Sequence, residues 1–262
     1  MPKFCANLTL LFNEVGFMDR FGAAASAGFS GVEYLFPYEY DKDALAEALQ
    51  RNRLRQVLHN LPAGDWANGE RGIACHPDRV GEFQDGIGQA IEYASRLGCS
   101  QVNCLAGLTP AGVAPDRVRA TFVSNLKFAA LKLKENGIRL LIEPINTRDM
   151  PGFYLTHTLQ ALEIIREVGS ENLHLQYDIY HMQVMEGDLA ATIEKHLSRI
   201  AHMQLADNPG RHEPGTGEIN YPFLFAHIDR LGYAGWIGCE YKPATTTAAG
   251  LSWVHPYLRQ KH

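Results

Sequence analysis

The chain lacks the features that tie a protein to nucleic acid or to a membrane. Its 262 residues carry 24 Lys and Arg against 29 Asp and Glu, a net charge of −5. No basic patch dominates, so the electrostatic footprint of a nucleic-acid binder is missing. No run reaches the roughly 18 apolar residues a membrane helix needs, so no membrane association is expected. The opening "MPKFCANLTLLFNEVGFMDRF" is partly apolar, but Glu14, Asp19 and Arg20 interrupt it and no small-residue cleavage site follows. A cytoplasmic location is expected. Cysteine is sparse: Cys5, Cys75, Cys99, Cys104 and Cys239 are odd in number and form no C-x-x-C. They read as small buried hydrophobes of a reducing compartment rather than a disulfide framework. No G-x-G-x-x-G follows an early strand, and "GTG" at 215–217 is too short and misplaced to be a nucleotide loop. No nucleotide cofactor is expected.

What is present is alternation. Segments 4–11, 31–36, 55–61, 101–107, 139–145, 173–179, 200–207 and 236–242 read as buried strands. Helical periodicity fills most of the gaps. Val123, Leu126, Phe128, Ala129 and Leu133 share one face, as do Leu159, Leu162, Ile165 and Val168, and Phe225, Ile228 and Leu231. Near-continuous apolar strands alternating with helices argue for a parallel sheet covered on both sides. Eight such repeats are the size of a TIM (β/α)8 barrel, an α/β fold, here expected as a single domain over 1–262. The longest connection is "PAGDWANGERGIACHP", 62–77, a length typical of binding loops.

In a barrel the chemistry lies at the C-terminal ends of the strands. Strand 5 ends on Glu143, strand 6 on Asp178, strand 7 on Gln204 and strand 8 on Glu240, at spacings of 35, 26 and 36 residues. A carboxylate is costly to bury unpaired. An all-oxygen set suits a hard divalent cation, Mg²⁺ or Mn²⁺, better than zinc. A cation would also let three carboxylates converge without mutual repulsion. The alternative is four unrelated polar side chains at strand ends. His59 and His181 stand near strand ends and are candidates for substrate contact. His202, two residues before Gln204, shares its side of the strand and reads as a deeper, structural histidine. His157, His196, His227 and His262 read as surface or core. Arg211, in the turn-rich 207–221 loop, either grips a substrate carboxylate with its fork or is a solvated surface residue. Trp66, in the 62–77 loop, either covers a ligand or anchors the loop.

The stretches "LHNLPAGDWANGERGIAC", "LLIEPIN", "QYDIYHMQ", "HMQLADNPGRHEPGTGEINY" and "GCEYKP" run nearly end to end. In them the chain resembles the hydroxypyruvate isomerase family of the xylose isomerase-like TIM-barrel group. The resemblance implies interconversion of hydroxypyruvate and 2-hydroxy-3-oxopropanoate (tartronate semialdehyde), a small hydroxy-keto acid substrate, and Glu143 and Glu240 as an acid–base pair. In the wider group a divalent metal sits on Glu, Asp, His and Glu, which correspond here to Glu143, Asp178, Gln204 and Glu240. Gln for His departs from that pattern and removes the nitrogen ligand. A sister group, the 2-oxo-tetronate isomerases, shares "HEPxxGEINY" and "GCEYKP", whereas "HNLPAGDW" and "DIYHMQ" look more like the hydroxypyruvate enzymes. The remaining alternatives are another sugar or sugar-acid isomerase or epimerase of this barrel group, an abasic-site endonuclease, which the charge and the Gln speak against, and a non-catalytic sugar-acid binder. Exposed apolar residues on the outer helices would point to a homo-oligomer.

Overall fold

A computed structural model describes residues 1–258, which leaves His262 outside the described residues. Eight parallel strands close into a barrel in sequence order. They are β1 Lys3–Asn7, β2 Gly31–Glu33, β3 Arg55–Asn60, β4 Gln101–Cys104, β5 Arg139–Ile142, β6 Leu173–Asp178, β7 Ile200–Leu205 and β8 Trp236–Cys239. Around them run α1 Phe17–Ser26, α2 Lys42–Arg51, α3 Val80–Leu97, α4 Pro115–Glu135, α5 Thr158–Val168, α6 Ile179–Met185, α7 Leu189–His196, α8 Tyr221–Arg230 and the short α9 His255–Leu258. All eight expected strands exist, but each is shorter at its C-terminal end than expected. Residues such as Tyr34, Leu61, Leu105, Ile145 and Tyr241 stay buried past the last ladder bond. They line the rim, where loops replace the sheet but burial continues, so apolar patterning overruns the strand.

The helical faces follow the same physics with one displacement. On α4, Val123, Leu126, Ala129 and Leu133 are buried as expected, and on α8 so are Phe225 and Ile228. On α5 the buried stripe is Thr158, Ala161, Ile164, Ile165 and Val168, while Leu159 is exposed. Leu159 falls in the first turn, on the side facing away from the barrel, and packing rather than periodicity sets the face. All five cysteines are free and buried, as the sequence predicts. Among the described residues no helix is long and apolar enough to cross a membrane.

Inside the barrel, Cys5, Val57, Leu58 and Leu141 pack with Ala201 and Trp236 to close the strand-start end. Two ladder irregularities, at Val32/Glu33 in the β2–β3 pair and Leu175/Gln176 in the β6–β7 pair, lie in the strands that carry a polar layer above this plug. Bulges of this kind re-aim side chains, and here they accompany Glu33 and Gln176 in the interior.

Candidate active site

The strands deliver Glu143, Asp178, Gln204 and Glu240 to one end of the barrel, all buried. With His181 and Arg211, the residues Glu143, Gln204 and Glu240 line a cavity of about 270 Å³ whose opposite wall is apolar: Leu35, Leu105, Ile145, Met150 and Trp66. A larger opening of about 710 Å³ lies at the strand-start face beside Lys3, Arg55, Arg139 and Trp236, but only Glu194 supplies a carboxylate there.

Each acidic side chain in the cavity is held differently. Asp178 caps α6: its Oδ1 accepts from the backbone N–H of Tyr180 at 2.8 Å and of His181 at 3.2 Å. Its Oδ2 is buried with no partner. Glu143 accepts from Asn103 Nδ2 at 3.0 Å. Glu240 Oε1 accepts from Arg211 Nη2 at 2.7 Å, and Oε2 accepts from Asn7 Nδ2 at 3.2 Å and from the Gln204 amide. Burial, first, and then the charges of Glu240 and Asp178 push the Glu143 carboxyl well up. Burial raises Asp178 and Glu240 too, with Arg211 pulling both the other way.

His181 joins this group. Asn146 Nδ2 donates to its Nδ1 at 2.6 Å, which leaves the proton on Nε2. That Nε2 lies 3.6 Å from the unpartnered Asp178 Oδ2 and 4.0 Å from Glu143 Oε1. Burial, reinforced by Arg211, holds its pKa well below the ordinary histidine range, so the ring is neutral.

Ligand atoms of Glu143, Asp178 and His181 lie within 4.8 Å of one another. A buried, orphaned carboxylate oxygen amid like charges is the environment that a divalent cation satisfies, and the residues present fit one. Gln204 meets Glu240 as a donor: its nitrogen also donates to Glu33 Oε1 at 2.8 Å, while its oxygen accepts from Gln176 Nε2 at 2.6 Å.

Arg211 is not a solvated surface residue. The loop that carries it is built on Asp207, whose carboxylate accepts from the backbone N–H of Asn208, Gly215, Gly217 and Ile219. The guanidinium lies 5.2 Å over the Tyr180 ring, reaches Asp149 at 3.4 Å, and leaves Nε buried without a partner. That is an open donor beside the cavity.

His59 is the expected contact that the structure moves elsewhere. Strand alternation turns Leu58 and Asn60 toward the cavity and His59 outward. It is fully buried beside Tyr38, 6.1 Å between ring centres, and burial alone lowers its pKa to about 3. Strand ends reveal height along the barrel, but a one-residue uncertainty in register reverses the side.

Glu33 is what the sequence reading passed over. It stands at the barrel centre, accepting from His202 Nε2 at 2.7 Å, Asn7 at 3.0 Å, Gln204 and Cys5. A Cβ at position 238 would collide with its carboxylate, so Gly238 is required for it to fit. His202 is the buried structural histidine expected, one layer below Gln204. The signal was available: Glu33 sits in "GVEYLF" just as Glu143 sits in "LLIEPIN". Burial works to raise Glu33, but His202, Gln204 and Asn7 outweigh it and hold the carboxyl below its ordinary value. Such a group contributes stability in full above its unfolded-chain value and loses it as pH falls through the depressed folded value. Urea unfolding at neutral pH should show Glu33→Ala destabilised by about 3–5 kcal/mol, since removal orphans the buried His202 Nε2 and Cys5 thiol and leaves Asn7 and Gln204 with Glu240 alone. Glu33→Gln should lose less and show a shallower decline in acid; a Glu33→Ala midpoint equal to wild type would contradict this account.

Comparison with known proteins agrees with the fold. The profile of the xylose isomerase-like TIM barrel family matches residues 21–257. The hydroxypyruvate isomerase of Escherichia coli K12 is 57% identical over 98% of this chain and 100% of its own length. The 2-oxo-tetronate isomerase of Cupriavidus necator is 50% identical over 98% of this chain and 99% of its own. A crystal structure from Brucella melitensis, described as an AP endonuclease of family 2, superposes with a TM-score of 0.96 at 47% identity, covering 98% of this chain and 99% of that one.

Proposed function

Because this chain belongs to the xylose isomerase-like TIM-barrel family, we propose that it is an intramolecular isomerase interconverting hydroxypyruvate and 2-hydroxy-3-oxopropanoate. The observation that carries this reading is the pair Glu143 and Glu240, buried just past the ends of different strands yet lining one cavity of about 270 Å³. The relative at 57% identity is named for this activity.

The reaction moves a proton from C3 to C2 while the carbonyl moves from C2 to C3. One glutamate takes the C3 proton, the electron pair forms the C2–C3 double bond, and the C2 carbonyl becomes an enediolate oxygen. The other glutamate delivers a proton to C2 while the proton of the C3 hydroxyl passes to the C2 oxygen, so the C3 carbonyl forms and C2 is left with a hydroxyl. In the reverse direction the two exchange roles. Their raised affinity for protons, caused first by burial, suits groups that must accept a proton from carbon. Arg211, with its unpartnered Nε, binds the substrate carboxylate and sets C2 and C3 between the glutamates. The His181 Nε2–H is positioned to donate to a reacting oxygen. Glu143, Asp178 and Glu240 would hold a divalent cation, Mg²⁺ or Mn²⁺, with the Gln204 side chain beside them. When bound, it would supply charge stabilisation for the two substrate oxygens. No nucleotide takes part, and the substrate is a free small acid rather than a nucleic acid.

Two relatives, 50% and 46% identical, are named 2-oxo-tetronate isomerase, so a four-carbon homologue is the competing substrate. Incubating the protein with each acid and following the products by NMR separates the two. The proposal expects a higher kcat/KM for hydroxypyruvate; a preference for the four-carbon acid would replace it with the second reading, and turnover of neither would refute both.

A further inference from the structure

We propose that Trp66 sets the substrate length, closing the far end of the site to any carbon beyond C3. This rests on the reading of the site as one for a short hydroxy-keto acid. The argument starts from topology. The strands close in sequence order, so β3 and β7 stand on opposite sides of the ring. Trp66 rises from the loop after β3 and Arg211 from the loop after β7. A line between them passes with Glu143, after β5, on one side and Glu240, after β8, on the other. A substrate whose carboxylate meets Arg211 and whose C2–C3 unit lies between the glutamates therefore points its distal end at Trp66.

Behind Trp66 there is room. A second cavity of about 290 Å³, lined by Phe36, Tyr38, Pro62, Gly64 and Gln89 among others, shares Trp66 with the site cavity. The indole is thus a partition between two spaces of similar size. It is a firmly held one. Its ring packs against Phe36 with centres 5.0 Å apart, and the Arg71 guanidinium lies 4.3 Å over it. The same guanidinium donates to the carbonyls of Trp66 at 3.1 Å and Glu70 at 2.7 Å. Arg79 grips Glu70 with both terminal nitrogens, at 2.6 and 3.2 Å. Downstream, Gly72 and Gly107 bring their backbones together so closely that a Cβ on either would strike the other's segment, which ties this loop to the end of β4. A loop built this way holds a wall in place rather than swinging as a lid.

On the site side, Leu105 and Met150 stand with Trp66 in the cavity wall. Discrimination of one carbon unit in such a pocket typically amounts to about 10–200-fold.

The test is the ratio of kcat/KM for the four-carbon 2-oxo-tetronate to that for hydroxypyruvate, measured in wild type, Trp66→Ala and Trp66→Phe. Trp66→Ala should raise that ratio about 10-fold or more, mainly through a lower KM for the four-carbon acid relative to that for hydroxypyruvate. Trp66→Phe keeps a smaller ring in the partition and should raise the ratio by less than Trp66→Ala does. An unchanged ratio in a Trp66→Ala protein that still turns over hydroxypyruvate would overturn the proposal and leave the functional reading standing. If Trp66→Ala does not fold, a Trp66→Phe ratio above that of wild type supports the proposal and an equal ratio at reduced overall activity refutes it. Wild-type turnover of hydroxypyruvate reports on the functional reading itself.

Discussion

Replacing Glu240 by Gln is expected to lower kcat for hydroxypyruvate by about 10²–10⁴-fold, the range typical of losing a positioned acid or base, and Glu143→Gln should do the same. The substitutions are near-isosteric, so shape and packing persist and the change is confined to protonation. Stability moves the other way. Both carboxylates are buried in a field of like charge, and burial is the largest cause of their raised proton affinity. A neutral amide at position 143 removes that repulsion, so Glu143→Gln should not melt below wild type in ion-free buffer, whereas Glu240→Gln also gives up its ion pair with Arg211 and should gain less. Loss of turnover with retained or increased melting temperature is the signature of a group kept for chemistry at a cost in stability. The double variant should be scarcely worse than either single one, because one proton relay is broken in each case. Near-normal turnover by either single variant would remove the paired scheme.

The second large effect concerns the cation. In the ion-free protein burial raises the carboxyl pKa of Asp178 to about 6 and that of Glu240 to about 8, against ordinary values of 3.8 and 4.5. Glu143 moves in the same direction. Groups raised in the folded state contribute stability below their unfolded values and lose it as pH climbs through the folded ones. The melting temperature of chelator-treated protein should therefore fall between roughly pH 4.5 and pH 8. Adding Mg²⁺ or Mn²⁺ at pH 8 should restore it, because a ligand at about 100 times its Kd contributes about 2.7 kcal/mol. For a chain of this size that corresponds to roughly 5–10 °C. Asp178→Asn should blunt both the pH dependence and the response to the ion. A melting temperature indifferent to divalent ions in the wild type would argue that the cluster holds none.

Much of the site was legible because the same physics writes both strand and rim. A barrel strand buried on both faces reads as an apolar run, so a carboxylate within it stands out, and Glu143, Asp178 and Glu240 stand out this way. What was not legible depends on side rather than height. His59 and Asn60 are adjacent, and only the register decides which of them faces the cavity. Glu33 carries the same signal as Glu143, but it stands in a strand of three residues whose pairing shifts where Glu33 turns inward. Its importance lies in partners from β1, β7 and β8 that sequence distance hides. Arg211 could be read two ways until the Asp207-centred loop was seen to fold it over the cavity. On the outside, Leu159 shows the converse: periodicity marks a face, but only packing tells which edge of that face meets the barrel.

The most direct test of paired proton transfer is hydroxypyruvate turnover in D₂O, with the product and the recovered substrate read by NMR. The account predicts solvent deuterium at C2 of 2-hydroxy-3-oxopropanoate and deuterium washed into C3 of the remaining hydroxypyruvate, both lost in Glu143→Gln and Glu240→Gln. Product that carries the original C3 hydrogen at C2, with no deuterium from solvent, would mean a hydride shift and would contradict it.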